Sequence, residues 1–126
     1  MTRKRALAIG WSAIALAIAV QLFNNLTCYG HSLLDAVKLL WFPAVPLIPG
    51  FIAVFGENPI KAIGASLVAI TFYALAYYTD CIRPYEGGGA SRVYVGVILY
   101  GTPLAFIATW LVGFICRQFG VTVEKR

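Results

Sequence analysis

The chain has 126 residues, of which 60% are hydrophobic and only 12% charged. A soluble globular domain carries about 25% charged residues, and a small one needs more polar surface, not less; the composition therefore excludes a water-exposed exterior and leaves lipid as the solvent. The net charge of +5 does not indicate a nucleic-acid partner, because the basic residues form no stripe and sit at the ends of long apolar runs, where they orient membrane helices.

A bilayer crossing needs about 20 predominantly apolar residues. Four such runs are predicted, at about 6–26, 33–56, 61–79 and 93–116. Residues 1–126 thus read as a single all-α integral membrane domain, a four-helix transmembrane bundle. The first run, Ala6 to Leu26, follows Arg3, Lys4 and Arg5. That pattern also fits a secretory signal peptide with Ala17-Ile18-Ala19 as its cleavage site. The apolar run continues past that site to Phe23, so an uncleaved first helix is expected.

The second run, Leu33 to Gly56, opens with an S-x-x-D capping pattern, Ser32 and Asp35. Pro43, Pro46, Pro49 and Gly50 then interrupt it. Each proline removes a backbone donor, and in lipid the freed carbonyls must be satisfied by neighbouring helices, hydroxyls or water. Two readings follow: one proline-kinked spanning helix, or an interfacial helix from Ser32 to Trp41 with a re-entrant segment behind it. The third run, Ala62 to Thr79, starts near Pro59 and carries Tyr77 and Tyr78 at the end, as suits a membrane–water interface. The fourth, Val93 to Cys116, has no charge inside it, is expected to kink at Pro103, and is closed by Arg117. Between the third and fourth runs, Asp80 to Arg92 contains Gly87, Gly88 and Gly89, which predict a pliable loop.

Charge separates the two readings of the second run. With four crossings, Arg3, Lys4, Arg5, Lys61, Arg117, Lys125 and Arg126 share one side, while Lys38, Arg83 and Arg92 share the other. A re-entrant second segment divides the ten cations equally. The positive-inside rule therefore favours four crossings with both termini cytoplasmic, in a bacterial inner membrane. Cys28 and Cys81 then both lie on the outer, oxidising side, and a Cys28–Cys81 disulfide is expected to tie the first helix to the third. Cys28 and His31 also make a C-x-x-H step, but with Asp35 the only other nearby ligand no metal site is expected.

On the fourth run Gly101, Ala105, Thr109 and Gly113 recur every four residues and share one face. Such small-residue stripes let membrane helices approach closely, here within the bundle or against another membrane protein. No acidic residue falls at a predicted midplane, which removes the proton-coupling carboxylate of a small multidrug transporter. The glycine run has no preceding strand and no following Lys-Ser/Thr, so it is not a phosphate loop. No cofactor is expected. The leading reading is a non-catalytic protein that works by helix and loop contacts. It would be an accessory or assembly subunit of a membrane complex, or an immunity protein against a membrane-acting toxin, with the bilayer and another membrane protein or itself as partners. The first alternative is a small channel or transporter using the broken helix from Pro43 to Gly50. The second is a membrane thiol-redox enzyme, for which one cysteine per outer loop leaves the exchange relay incomplete.

Overall fold

The computed structural model describes residues 2–28, 30, 32–78 and 95–124. Among these residues every regular element is helical. Three helices are long and apolar enough to cross a membrane, Arg3–Thr27, Pro59–Tyr77 and Val97–Gln118. A fourth crossing would be the pair Leu33–Trp41 and Val45–Phe55, bent by 59° at the break between them.

Helix α1 (Arg3–Phe23) begins where Thr2 accepts a hydrogen bond from the Arg5 backbone N–H at 3.3 Å. It does not end in an ordinary cap, but widens into a π-helical turn, Asn24–Cys28. The second run is where expectation and structure differ most. Instead of one helix over 33–56 there are four short pieces. Helix α2 (Leu33–Lys38) is capped by Ser32, and 3₁₀ turns follow at Leu39–Trp41 and Val45–Leu47 before helix α3 (Ile48–Phe55). The physical reason is the loss of donors at Pro43, Pro46 and Pro49. The chain tightens from i−4 to i−3 bonding, with Leu47 N–H donating to Ala44 O at 2.8 Å and Val45 N–H to Phe42 O at 3.4 Å.

Asn58 caps the turn Pro59–Lys61 through its side chain, and helix α4 (Ala62–Tyr77) follows. The last helix passes through a second π turn, Val97–Gly101, into α5 (Thr102–Gln118). Pro103, expected to kink this run, lies just past that π turn inside the continuous helix Val97–Gln118, where it removes a backbone donor from the ladder.

Helix α4 is the centre of the packing. Its most apolar window is 44% buried, against 28% for α1 and 22% for the last helix, and α1, α3 and α5 all pack on it. At one end Arg3 donates to Gly56 O at 3.0 Å, and Ala6, Ile60 and Cys116 form one core cluster. At the other end Asn24 donates to Tyr73 O at 3.0 Å and Asn25 to Ala36 O at 3.2 Å. Helices α1 and α4 therefore run one way, and α2–α3 and α5 return. The start of α1, the 56–61 turn and the end of α5 meet at a shared end.

The interior is built mainly from small residues around a few large ones, and the exterior largely from large apolar residues. Buried positions on α1 are Ala6, Gly10, Ile14, Ala17 and Gln21, and those on α4 are Ala62, Gly64, Ala65, Ser66, Ala69, Tyr73 and Ala76. Leu16, Leu67, Leu75, Leu99, Phe106 and Ile107 are exposed. Apolar association gives no preference for the interior when the solvent is itself hydrocarbon, so close backbone approach takes its place. A Cβ at Gly64 would sit 2.4 Å from Ala108 O, and one at Gly10 would sit 2.5 Å from Pro59 O.

Gly64→Val is therefore expected to destabilise the bundle by at least the ~1–3 kcal/mol typical of overpacking, because the obstacle is backbone. Gly96→Ala meets nothing within 4 Å and should be neutral or stabilising by up to about 1 kcal/mol. Thermal unfolding in mild detergent would compare the two; equal loss in both would contradict the packing.

Candidate functional site

Among the described residues two places concentrate polar groups. The first is the buried end of α1. Gln21, Asn24 and Asn25 are each at most 4% exposed. The Gln21 amide donates to Asn25 Oδ1 at 3.1 Å, and Asn24 Nδ2 reaches both Gln21 Oε1 at 3.4 Å and Tyr73 O at 3.0 Å. Asn25 Nδ2 donates to Ala36 O at 3.2 Å. Asn24 and Asn25 are consecutive yet both face inward, one toward α4 and the other toward α2, where the helix has widened into its π turn. Such turns recur at functional positions in helices. The amides here join α1 to the two segments beside it, and each bond replaces a partner that lipid cannot supply.

Tyr73 extends this network. Its side chain is fully buried and its hydroxyl donates to Pro43 O. In a regular helix that carbonyl would accept from Leu47 N–H, which here bonds Ala44 O instead. Tyr73 thus takes up a carbonyl left over by the proline break. Pro46 and Pro49 are buried, and Gly101 leaves room for Pro46, whose Cγ lies 3.4 Å from where a Cβ would be. Gly50 fits between Ile14 and Ala65 in the same way. The broken segment is packed against its neighbours at Pro46, and the cavities described below reach Pro49 but not Pro46.

The stripe Gly101, Ala105, Thr109 and Gly113 is buried along its whole length. It faces the broken segment, α4 and Lys61, so the chain itself occupies it. Thr109 satisfies its hydroxyl by donating to Ala105 O at 2.7 Å. Cys28 ends the first π turn, whereas Cys81 and His31 lie outside the described residues, and with them the expected disulfide. Cys116 is buried as a free thiol. Among the described residues no three His, Cys, Asp or Glu side chains cluster as metal ligands would.

The second polar place is a cleft at the end where α1 begins and α5 finishes. It encloses about 590 Å³ between α3, the 56–61 turn, α5 and the segment 121–123. That segment folds back over the helix end, with Val121 N–H donating to Cys116 O at 2.8 Å. Lys61, Arg117, Glu57 and Asn58 line the polar part, and Ile52 and Trp110 the apolar part. Lys61 enters across Gly113: a Cβ there would lie 3.1 Å from its Cε. The aliphatic stem is thus laid on α5, an arrangement open to lysine because its stem is apolar and only its tip is charged.

Comparison with protein-family models, curated proteins and solved structures finds no match to the chain. The geometry alone therefore carries the functional reading. Sequence reasoning passed over both places. The signal for the first was present: Gln21 continues the small-residue face Ala6-Gly10-Ile14-Ala17, so a polar residue fell in phase with the inward side. The signal for the cleft was absent, because Lys61 and Gly113 are brought together only by the crossing of α4 with α5.

Tyr73→Phe removes one hydroxyl and leaves Pro43 O buried without its donor. A hydrogen bond between membrane helices contributes about 0.6 kcal/mol on average, but an orphaned buried partner costs about 1–3 kcal/mol; the orphan should decide the outcome. Tyr73→Phe is expected to lower the unfolding midpoint in detergent, while Tyr77→Phe, at a half-buried position, leaves it nearly unchanged. Indistinguishable midpoints for these two variants would show that Tyr73 does not support the break.

Proposed function

We propose that the chain is a membrane protein of four crossings that works by contact and not by catalysis. It would serve as an accessory or assembly subunit of a membrane complex, or as an immunity-type protein against a membrane-acting toxin. The observation that carries this reading is the arm Leu33–Trp41. It is bent by 59° from the segment behind it, and it exposes Leu33, Leu34, Val37, Leu39 and Trp41, the last at 71%. Only Ala36 on α2 is buried, bonded through its carbonyl to Asn25. A contiguous apolar face of this kind marks a surface made for another protein or for lipid. Asn25 and Tyr73 hold this arm and the break in place from inside the bundle, and the arm is the surface they present.

Four crossings are supported by where the bent pair starts and stops. It leaves from beside Asn25 and arrives at Gly56, which is bonded to Arg3 at the opposite end of α1. A re-entrant segment would return to the end it left. The side is supported by charge: five of the six described cations, Arg3, Lys4, Arg5, Lys61 and Arg117, fall at the end where Arg3 meets Gly56, and Lys38 does not, which favours that end as the cytoplasmic one. Cys28 then lies on the outer side, and its disulfide with Cys81 belongs to the same proposal.

A photo-crosslinker placed at Leu34 in cells should capture a discrete protein, heterologous or a second copy. The same probe at Ile107, on the lipid-facing side of α5, should capture none. A chain that is monomeric in mild detergent and gives no protein adduct at Leu34 would overturn the contact reading.

A reporter fused to the C-terminus should be active only in its cytoplasmic form. Thiol titration of the denatured, unreduced protein should then find one thiol, Cys116, and two in a Cys81→Ser variant. An extracytoplasmic C-terminus would overturn the orientation, and three titratable thiols in the unmodified chain would overturn the disulfide.

A further inference from the structure

The cleft beside Lys61 does not end at the polar surface. A second cavity of about 230 Å³ lies between α3 and α5 and shares Ile52, Ala53, Lys61 and Trp110 with the larger one. It extends to Pro49, Phe106 and Thr109. The two form one elongated recess, cationic at the end of the bundle and apolar along the helices. At 1.5 Å per residue, Phe106 lies about 16 Å along α5 from Arg117, roughly the hydrocarbon thickness of one bilayer leaflet.

The charge in the recess is unbalanced. Lys61 and Arg117 face it with Glu57 as the one carboxylate. Neither cation is ion-paired with a described carboxylate. Gly113 is what admits the Lys61 stem, since any side chain there would meet Lys61 Cγ, Cδ and Cε at 3.1–3.4 Å. Trp110, stacked on Phe114 with ring centroids 5.8 Å apart, stands at the boundary between the polar and apolar parts. An indole, apolar in body and polar at its N–H, prefers that depth in a bilayer.

We propose that this recess binds one anionic phospholipid of the leaflet on the side of the termini. The phosphate-bearing headgroup lies between Lys61 and Arg117, and one acyl chain lies in the groove against Ile52, Phe106 and Trp110. The proposal rests on the membrane reading above. Charge complementarity selects an anionic headgroup, as basic pockets between membrane helices do. The apolar extension selects a lipid over a free anion, which would leave the groove uncovered.

Native mass spectrometry tests this on the full chain released from micelles holding equal amounts of phosphatidylglycerol and phosphatidylcholine with the same acyl chains. The phosphatidylglycerol-bound form should exceed the phosphatidylcholine-bound form by about thirtyfold, the scale of two cations beside an anionic lipid. Lys61→Met, which keeps the stem over Gly113, combined with Arg117→Gln should bring the ratio close to one. Lys4→Gln, an exposed position near the same end, should leave it unchanged. Gel filtration and thermal unfolding of each variant separate loss of the site from loss of the fold, and each single variant gives an intermediate ratio if the double variant unfolds. Equal retention of the two lipids, or a preference that survives in the folded double variant, overturns the proposal. Complete displacement of phosphatidylglycerol by millimolar glycerol 3-phosphate also overturns it, in favour of a free-phosphate site. A tightly held co-purifying peptide in place of lipid does so in favour of a protein partner. Recovery of the unmodified chain in the aqueous phase without detergent would refute the membrane reading itself, a different failure from loss of lipid selectivity in a detergent-extracted protein.

Discussion

A carbonyl left without its helical donor has nowhere to turn in hydrocarbon, and the arrangement of this chain depends on how those carbonyls are met. Three prolines within residues 43–49 would leave a spanning segment with unsatisfied backbone. The chain answers in two ways. It tightens into 3₁₀ turns, which bring Leu47 and Val45 to nearer acceptors, and it places the Tyr73 hydroxyl against Pro43 O. Once Tyr73 is committed to that role its own carbonyl accepts from Asn24, and the π turn that carries Asn24 also carries Asn25 to Ala36. The break in the second segment, the widened end of α1 and the polar lining of α4 are thus parts of one structural solution.

Close approach of backbones is the second condition, and it follows from the first. Polar bonds between helices reach only where the helices are near. Nearness is provided by Gly10 against Pro59, Gly64 against Ala108 and Gly50 against Ala65. The interior is lined mainly by alanine and glycine, with Ile14, Leu47 and Tyr73 as its large side chains, while most Leu, Ile, Phe and Trp face outward. In water that distribution would expose a very large apolar surface. In lipid the same distribution adds no penalty, and dispersion contacts between closely packed backbones drive association.

Much of the helical plan was legible because it rests on run length. The apolar stretches over 6–26, 61–79 and 93–116 correspond to Arg3–Thr27, Pro59–Tyr77 and Val97–Gln118, and at the first two starts the caps Thr2 and Asn58 set the boundary. The second run was legible as a problem and not as a solution. Pro43, Pro46 and Pro49 announce lost donors, but which group replaces them depends on Tyr73, a residue 30 positions later than Pro43. Nothing in the spacing of Tyr73, Tyr77 and Tyr78 marks Tyr73 as the one whose hydroxyl turns inward. Gln21, Asn24 and Asn25 were hidden because they interrupt an apolar run too briefly to lower its mean hydropathy. The Gly101-to-Gly113 stripe was legible as a close-packing face, whereas its occupant, the chain's own broken segment, α4 and Lys61, required the fold.

The two ends of the bundle differ in a way that no single helix shows. At the end near Asn25 the polar side chains are buried and bonded to one another and to backbone. At the end near Arg3 the charges are left facing a recess, and the backbone beneath them is held by Asn58, Arg3 and the returning segment after Cys116. A buried cation without a partner would be strongly unfavourable in hydrocarbon, so Lys61 is tolerable only because its stem lies along Gly113 and its tip borders an open cleft. The same geometry that makes Lys61 affordable in a membrane also makes it available to a ligand. A glycine at 113 therefore serves both purposes: a larger side chain there would displace the Lys61 stem from α5.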